Sequence, residues 1–159
     1  MDETYIKVKG AWKYLYRAVD KQGKTVDFLL TARRDKAAAM RFFDNAINAN
    51  GVPEKVTMDK SGANKAAMDE INARGEMPTI VRQVKYLNNI VEQDHRFVKR
   101  ITKHHQADVN FKSFRAAKNV QAGIELMHMI RKGQLMLEGC IKLSFADQFY
   151  ALAGQIRHV

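Results

Sequence analysis

The chain has 159 residues, 46% hydrophobic and 28% charged, with a formal net charge of +10. That length builds one domain with a real core and leaves little for a second, while the positive excess favours a polyanionic partner, nucleic acid or anionic lipid. A lone cysteine, Cys140, excludes an intrachain disulfide and argues against a Cys-based zinc site, and no run is long and apolar enough to span a bilayer.

The first third reads as a meander of three strands. Asp2 opens the first, and Thr4–Val8 alternates apolar and polar residues before Lys9-Gly10 turns the chain. Tyr14–Val19 is aromatic and β-branched, Asp20 to Gly23 form a turn, and Thr25–Leu30 returns. Asp35 is a good N-cap for a helix over Lys36–Asn50, with Ala39, Phe42, Phe43 and Ala46 as its apolar stripe and Gly51 and Pro53 as its stop. Lys55–Met58 is a short strand reached through that helix, and so parallel to its partner.

Asn64 can cap a helix over Lys65–Arg74, ended by Gly75, and Thr79–Val84 is the fifth strand. A helix from about Asn88 to Thr102 follows, with Ile90, Val91, Phe97, Val98 and Ile101 on its apolar side. Ser113 caps a longer helix, Phe114–Lys132, whose stripe through Val120, Ile124 and Met127 reads as core; Gly133 ends it. Ser144 caps a short C-terminal helix through Phe149, Tyr150, Leu152 and Ile156. A meander followed by alternating helices and strands predicts an α/β fold, a mixed five-stranded sheet flanked by helices with a helical tail.

Three carboxylates carry the chemistry of this reading. Asp2 opens a strand, Asp59 closes another, and Glu92 lies on a helix. Convergent carboxylates offer hard oxygen ligands to two Mg²⁺ or Mn²⁺ ions, and a metal pair suits in-line attack on a phosphodiester. Asp59 is followed by the loop Lys60-Ser61-Gly62, and ligands in α/β folds gather at the carboxyl ends of strands; it would serve equally as the first residue of a turn. Glu92, Arg96, Lys99 and Lys103 share one helical face, acidic once and then basic. A metal ligand there would run on into a phosphate-binding stripe, whereas a Glu-to-Arg pair on a solvated face would be worth only about 0.3–0.5 kcal/mol. Asp94 and His95 are alternative ligands, although Asp94 projects well around the helix from Glu92. Asp2, next to Met1, also reads as a terminal residue that frays.

Other features bear less weight. His104-His105 reads as a solvated helix end. Trp12, Tyr14 and Tyr16 read as packing in or over the sheet, with base stacking by Trp12 as the alternative. His128 reads as a surface or satisfied core residue, and Arg131-Lys132 complement a helix C-terminus. There is no Gly-rich phosphate loop, no nucleophilic Ser/His/Asp pattern and no zincin motif.

The strings DETYIKVKG, YLYRAVDKQG, KYLNNIVEQDHRFVKR, FKSF and GIELMHMIRKGQ resemble the DDE transposases of bacterial insertion sequences, and most closely the IS-six (IS-twenty-six-like) family. The resemblance runs from Asp2 to about Gln134 and implies a ribonuclease-H-like catalytic core over 1–134, with a helical tail over 135–159. It implies that Asp2, Asp59 and Glu92 form the acidic triad, the last two 33 residues apart, holding two Mg²⁺ (or Mn²⁺) ions. It further implies nicking of double-stranded DNA at an element's ends and joining of the 3′-hydroxyl to target DNA, by a homo-oligomer in the bacterial cytoplasm and at the nucleoid, with no membrane partner. Lys85, Asn88, Asn89, His95, Arg96, Lys99 and Lys103 fall in or beside the motif as candidate DNA contacts. Family members carry a helix-turn-helix region before the DET motif, so the expectation here is an N-terminally shortened transposase. Two other readings share the composition: a basic DNA-binding remnant that keeps the fold without catalysis, and a ribonuclease-H-like nuclease acting on hybrids or junctions.

Overall fold

In the structure, a computed structural model, three antiparallel strands follow the chain from its start: β1 (Asp2–Val8), β2 (Ala11–Val19) and β3 (Thr25–Thr31). Residues 1–75, 78–84, 96–98, 100–101, 111–135 and 143–156 are described. β2 begins three residues earlier than its aromatic run suggested, because the turn is only two residues long and pairing resumes at once with Val8 opposite Ala11. Lys9 and Gly10 both have positive φ, 49° and 76°, as the tight type I′ hairpin turn requires. A register shift at Ala18/Val19 bends the far end of β2.

Helix α1 (Lys36–Asn50) follows, and Asp35 caps it by accepting from the Ala38 backbone N–H at 2.8 Å. Then come β4 (Lys55–Met58), α2 (Gly62–Arg74) and β5 (Ile80–Gln83), with β4 and β5 parallel and in register from Lys55 opposite Ile80. Helical backbone recurs at 96–98 and 100–101. α3 (Phe114–Arg131) is capped by Ser113, which accepts from the Ala116 N–H at 3.0 Å. α4 (Phe145–Ile156) starts behind Ser144, whose hydroxyl accepts from the Asp147 N–H at 3.2 Å.

The five expected strands form, but among the described residues they do not hydrogen-bond as the single mixed five-stranded sheet expected: β1-β2-β3 make an antiparallel sheet and β4-β5 a separate parallel pair. Met1 joins the two: its ammonium donates to the Thr57 carbonyl of β4 at 2.7 Å. Two apolar clusters cover opposite faces of the meander. One packs Met1 and Tyr16 against Phe42, Phe43, Met58 and Met68, so α1 and α2 close that side. Each of the two buried phenylalanines contributes about 1.5–3 kcal/mol. The other gathers Ile6, Val8, Leu15 and Leu30 with Val98, Phe111, Ala117 and Ile124. Phe97, Val98 and Ile101 are therefore apolar-side residues as expected; Ile90 and Val91 lie outside the described residues.

Two local expectations are corrected. Asn64 is not a cap: the helix starts at Gly62, and Asn64 is fully buried inside it. Nor does the Val120, Ile124, Met127 stripe form the inner side of α3. Val120 and Met127 are 40% and 38% exposed, while Gln121, Ile124, Glu125 and His128 face inward. The physical reason is Arg17 of β2, which lies fully buried against that helix. Its Nε and Nη2 donate to the two Glu125 carboxylate oxygens at 2.8 Å each, Nη2 also reaches Thr25 Oγ1, and Gln121 Nε2 donates to Glu125 Oε1 at 3.0 Å. A helix turned to satisfy that guanidinium rotates Val120 and Met127 outward. His128 is a buried core residue stacked on Phe97, with ring centroids 4.2 Å apart.

Candidate active site

Asp59 follows the last residue of β4 and precedes the short loop into α2. Its side chain is 34% exposed, so it is open to solvent yet held. Asn64 Nδ2, one turn into α2, donates to Asp59 Oδ1 at 3.4 Å, and Gln83 Nε2 of β5 reaches the Asp59 carbonyl at 3.5 Å. Arg34 Nη2 stands 3.9 Å from Asp59 Oδ2.

Asp2 and Glu3 are adjacent in β1, so the pleat sends them to opposite faces. Asp2 is paired with Arg17 and belongs to the face of Thr4, Ile6 and Val8; Glu3 is paired with Tyr16 on the face covered by α1. The Glu3 carboxylate is only 3% exposed and forms an ion pair with Arg34. Burial raises its pKa above the usual carboxylate range; Arg34 opposes this, while Asp59 and Asp2 add to the rise. Burial likewise lowers the Met1 ammonium pKa, against the pull of both Asp2 and Asp59. Tyr16 is pushed up to about 12, mainly by burial and next by Glu3. The junction between β1 and β4 is thus where the carboxylates of Asp2, Glu3 and Asp59 come within electrostatic reach of shared neighbours.

Glu92 lies outside the described residues, as do Lys85, Asn88, Asn89, Asp94, His95, Lys99 and Lys103. Arg96 is described and exposed, one residue before Phe97 enters the core. Among the described residues no group of three His, Cys, Asp or Glu side chains is arranged to hold a metal ion. The donors that are described suit a hard divalent cation: two carboxylates at strand ends, one of them open to solvent and oriented by an amide.

Sequence reasoning missed Glu3, Arg34, Asn64 and Gln83, the groups around the two aspartates. Glu3 had a signal, since a second acid directly after Asp2 must face the other side of a strand. Arg34 and Gln83 had none, because each meets Glu3 or Asp59 only through the tertiary fold.

Comparison with known proteins fits this geometry. A DDE-domain family model of transposases of the IS240 type matches residues 1–134. The chain is 42% identical over 133 residues to the transposase for insertion sequence-like element IS431mec of Staphylococcus aureus strain Mu50, covering 83% of this chain and 57% of the relative. The same figures hold for the transposase for insertion sequence element IS257 in transposon Tn4003, also from Staphylococcus aureus. The chain therefore spans a little over half the length of the curated relatives it matches. Among solved structures, the catalytic core domain of BIV integrase superposes with a TM-score of 0.55 at 11% identity, over 99% of this chain and 97% of that one. A chain of the simian T-cell lymphotropic virus intasome in complex with PP2A regulatory subunit B56 gamma gives a TM-score of 0.57 at 18% identity, over 89% of this chain and 50% of that one. The fold is thus that of the integrase catalytic cores, ribonuclease-H-like, as the sequence resemblance implied.

Proposed function

We propose, for a chain that belongs to the DDE transposases of bacterial insertion sequences (the IS-six family), that Asp2, Asp59 and Glu92 are the acidic triad of a metal-dependent DNA nicking and strand-transfer reaction. The supporting observation is the junction of β1 and β4, where the Met1 ammonium, next to Asp2 in the chain, donates at 2.7 Å to the carbonyl of Thr57, two residues before Asp59. When bound by these carboxylates, two Mg²⁺ or Mn²⁺ ions supply activation of a water or 3′-hydroxyl nucleophile and stabilisation of the departing oxygen.

The chain's own groups position the rest. Asn64 orients the Asp59 carboxylate, and Arg34 holds Glu3 so that a buried carboxylate next to Asp2 stays neutralised. Lys85, Asn88, Asn89, His95, Arg96, Lys99 and Lys103 hold DNA phosphates along the segment that carries Glu92. Residues 1–134 serve as the catalytic core and 135–159 as a helical tail. The substrates are the element's ends and a target duplex, bridged by an oligomer of at least two copies, in the cytoplasm and on the nucleoid.

The test pairs chemistry with metal uptake. Asp59→Asn and Glu92→Gln should each abolish Mg²⁺- or Mn²⁺-dependent nicking and joining of DNA bearing matching ends, while DNA affinity stays near the parent's. Calorimetric Mn²⁺ titration should show the uptake lost in both variants. A parent that binds DNA with steep salt dependence but takes up no Mn²⁺ and cuts nothing would be a binding remnant instead.

A further inference from the structure

The β1–β2 hairpin carries an aromatic row that runs from Tyr14, packed at the edge of the core, out to Trp12, which no core cluster includes. Tyr5, Trp12 and Tyr14 lie on one face, linked edge to face: Tyr5 to Trp12 at 6.5 Å between centroids and Tyr5 to Tyr14 at 5.4 Å. Trp12 is 55% exposed and Tyr5 46% exposed. Lys7, directly opposite Trp12 in the ladder, places Nζ 5.6 Å from the indole centroid, and Lys9 is exposed in the adjoining turn. Cross-strand aromatic pairs stabilise a hairpin by about 0.2–1 kcal/mol, which accounts for the Tyr5 contacts but not for a tryptophan left half in water beside a lysine.

We propose that this hairpin face is a stacking platform for unpaired DNA bases, with the Trp12 ring taking a base and Lys7 and Lys9 taking the flanking phosphates. Three observations favour that occupant. A base offers a flat π-face only where it is unpaired, and an exposed indole with an adjacent ammonium is complementary to such a base and its phosphate. The local charge is positive, in a chain of net charge +10. The row also begins beside Glu3, whose partner Arg34 stands 3.9 Å from Asp59: Glu3, Tyr5 and Lys7 are alternate residues on one face of β1, so Tyr5 lies about 7 Å and Lys7 about 13 Å along the strand from Glu3. The inference deepens the strand-transfer reading by naming the part of the DNA that is gripped, the unpaired nucleotides next to the cleavage point.

Trp12 is the only tryptophan in the chain, so its emission reports on this face alone. The full chain, in EDTA, is titrated with oligothymidylate and with a blunt duplex of the same length. Oligothymidylate should quench the emission saturably, and the duplex much less. Trp12→Ala should weaken oligothymidylate binding about 5- to 150-fold, measured by anisotropy of a labelled strand, with duplex affinity within about twofold of the parent. Trp12→Phe should recover most of the loss. Trp12→Leu keeps an apolar side chain opposite Lys7 without a π-face, and should lose affinity as Ala does; it carries the test if Trp12→Ala fails to fold. Parental affinity in Trp12→Leu overturns the proposal, as does emission that changes only with protein concentration, which would make a second copy the occupant. Because no metal is present, the two readings fail separately. Trp12-dependent strand binding without any cleavage sinks the catalytic proposal alone, and cleavage without Trp12-dependent binding sinks this one alone.

Discussion

Arg17 and Glu125, 108 residues apart, meet through two parallel hydrogen bonds of 2.8 Å with both side chains fully buried. The pair ties the middle strand of the meander to α3. Its worth lies in geometry: attraction between the two charges has to offset two desolvation penalties before it contributes anything net.

Breaking that pair from one side should therefore be costly. Glu125→Gln leaves the buried guanidinium without the carboxylate that accepts two of its bonds, and should lower unfolding free energy by about 3–5 kcal/mol. The double variant Arg17→Met, Glu125→Leu should recover most of the loss. Urea denaturation followed by circular dichroism measures both, and equal losses in the single and double variants would contradict the argument.

Asn64 is fully buried and donates to Asp59 at 3.4 Å. Asn64→Ala should cost about 1–3 kcal/mol in stability through the lost bond and the space left behind. It should also reduce Mn²⁺ affinity at a temperature where the variant remains folded, because the Asp59 carboxylate loses its orienting amide. Unchanged Mn²⁺ binding would show that the amide serves the fold alone.

Asp27 of β3 is half-buried, and burial raises its pKa above the usual range against the opposing bond from the Phe28 N–H. A raised folded-state pKa means that the protonated form fits the fold better. The associated stability is fully present below the unfolded-state pKa and is lost as pH rises through the folded one. Asp27→Asn should thus be more stable than the parent at neutral pH, and the difference should fade on acidification. Melting curves across that range decide it; a difference that grows toward low pH would reverse the sign.

Arg96 is exposed on the segment read as a phosphate-binding stripe. Arg96→Gln should weaken binding to any DNA sequence alike and reduce the slope of log affinity against log salt by about one. Titrations at several salt concentrations would show this, and an unchanged slope would leave Arg96 off the interface.

What could be read along the chain was local. The strands, their order and the caps at Asp35, Ser113 and Ser144 follow from alternation and from short polar side chains before apolar runs, and all are present. What could not be read depended on a partner across the fold. Val120 and Met127 matched a helical stripe, yet the helix turned toward Arg17, because a buried guanidinium demands its carboxylate more strongly than two apolar side chains demand burial. Asn64 looked like a cap because amides favour caps, and only Asp59, brought close by β4, gives it another use. The two aspartates were visible at the ends of strands; the ion pair of Glu3 with Arg34, and the approach of Arg34 to Asp59, came into view only with the fold.

The tight bend at Lys9 and Gly10 has a reach far beyond its size. A loop of two residues permits a single alignment of the arms it joins, and a slip by one position would swap which of two neighbouring acids looks toward which side. About 20 Å of extended backbone separates that bend from Asp2. The choice between aspartate and glutamate at the business end of β1 is therefore made at the opposite tip, by a glycine that touches neither.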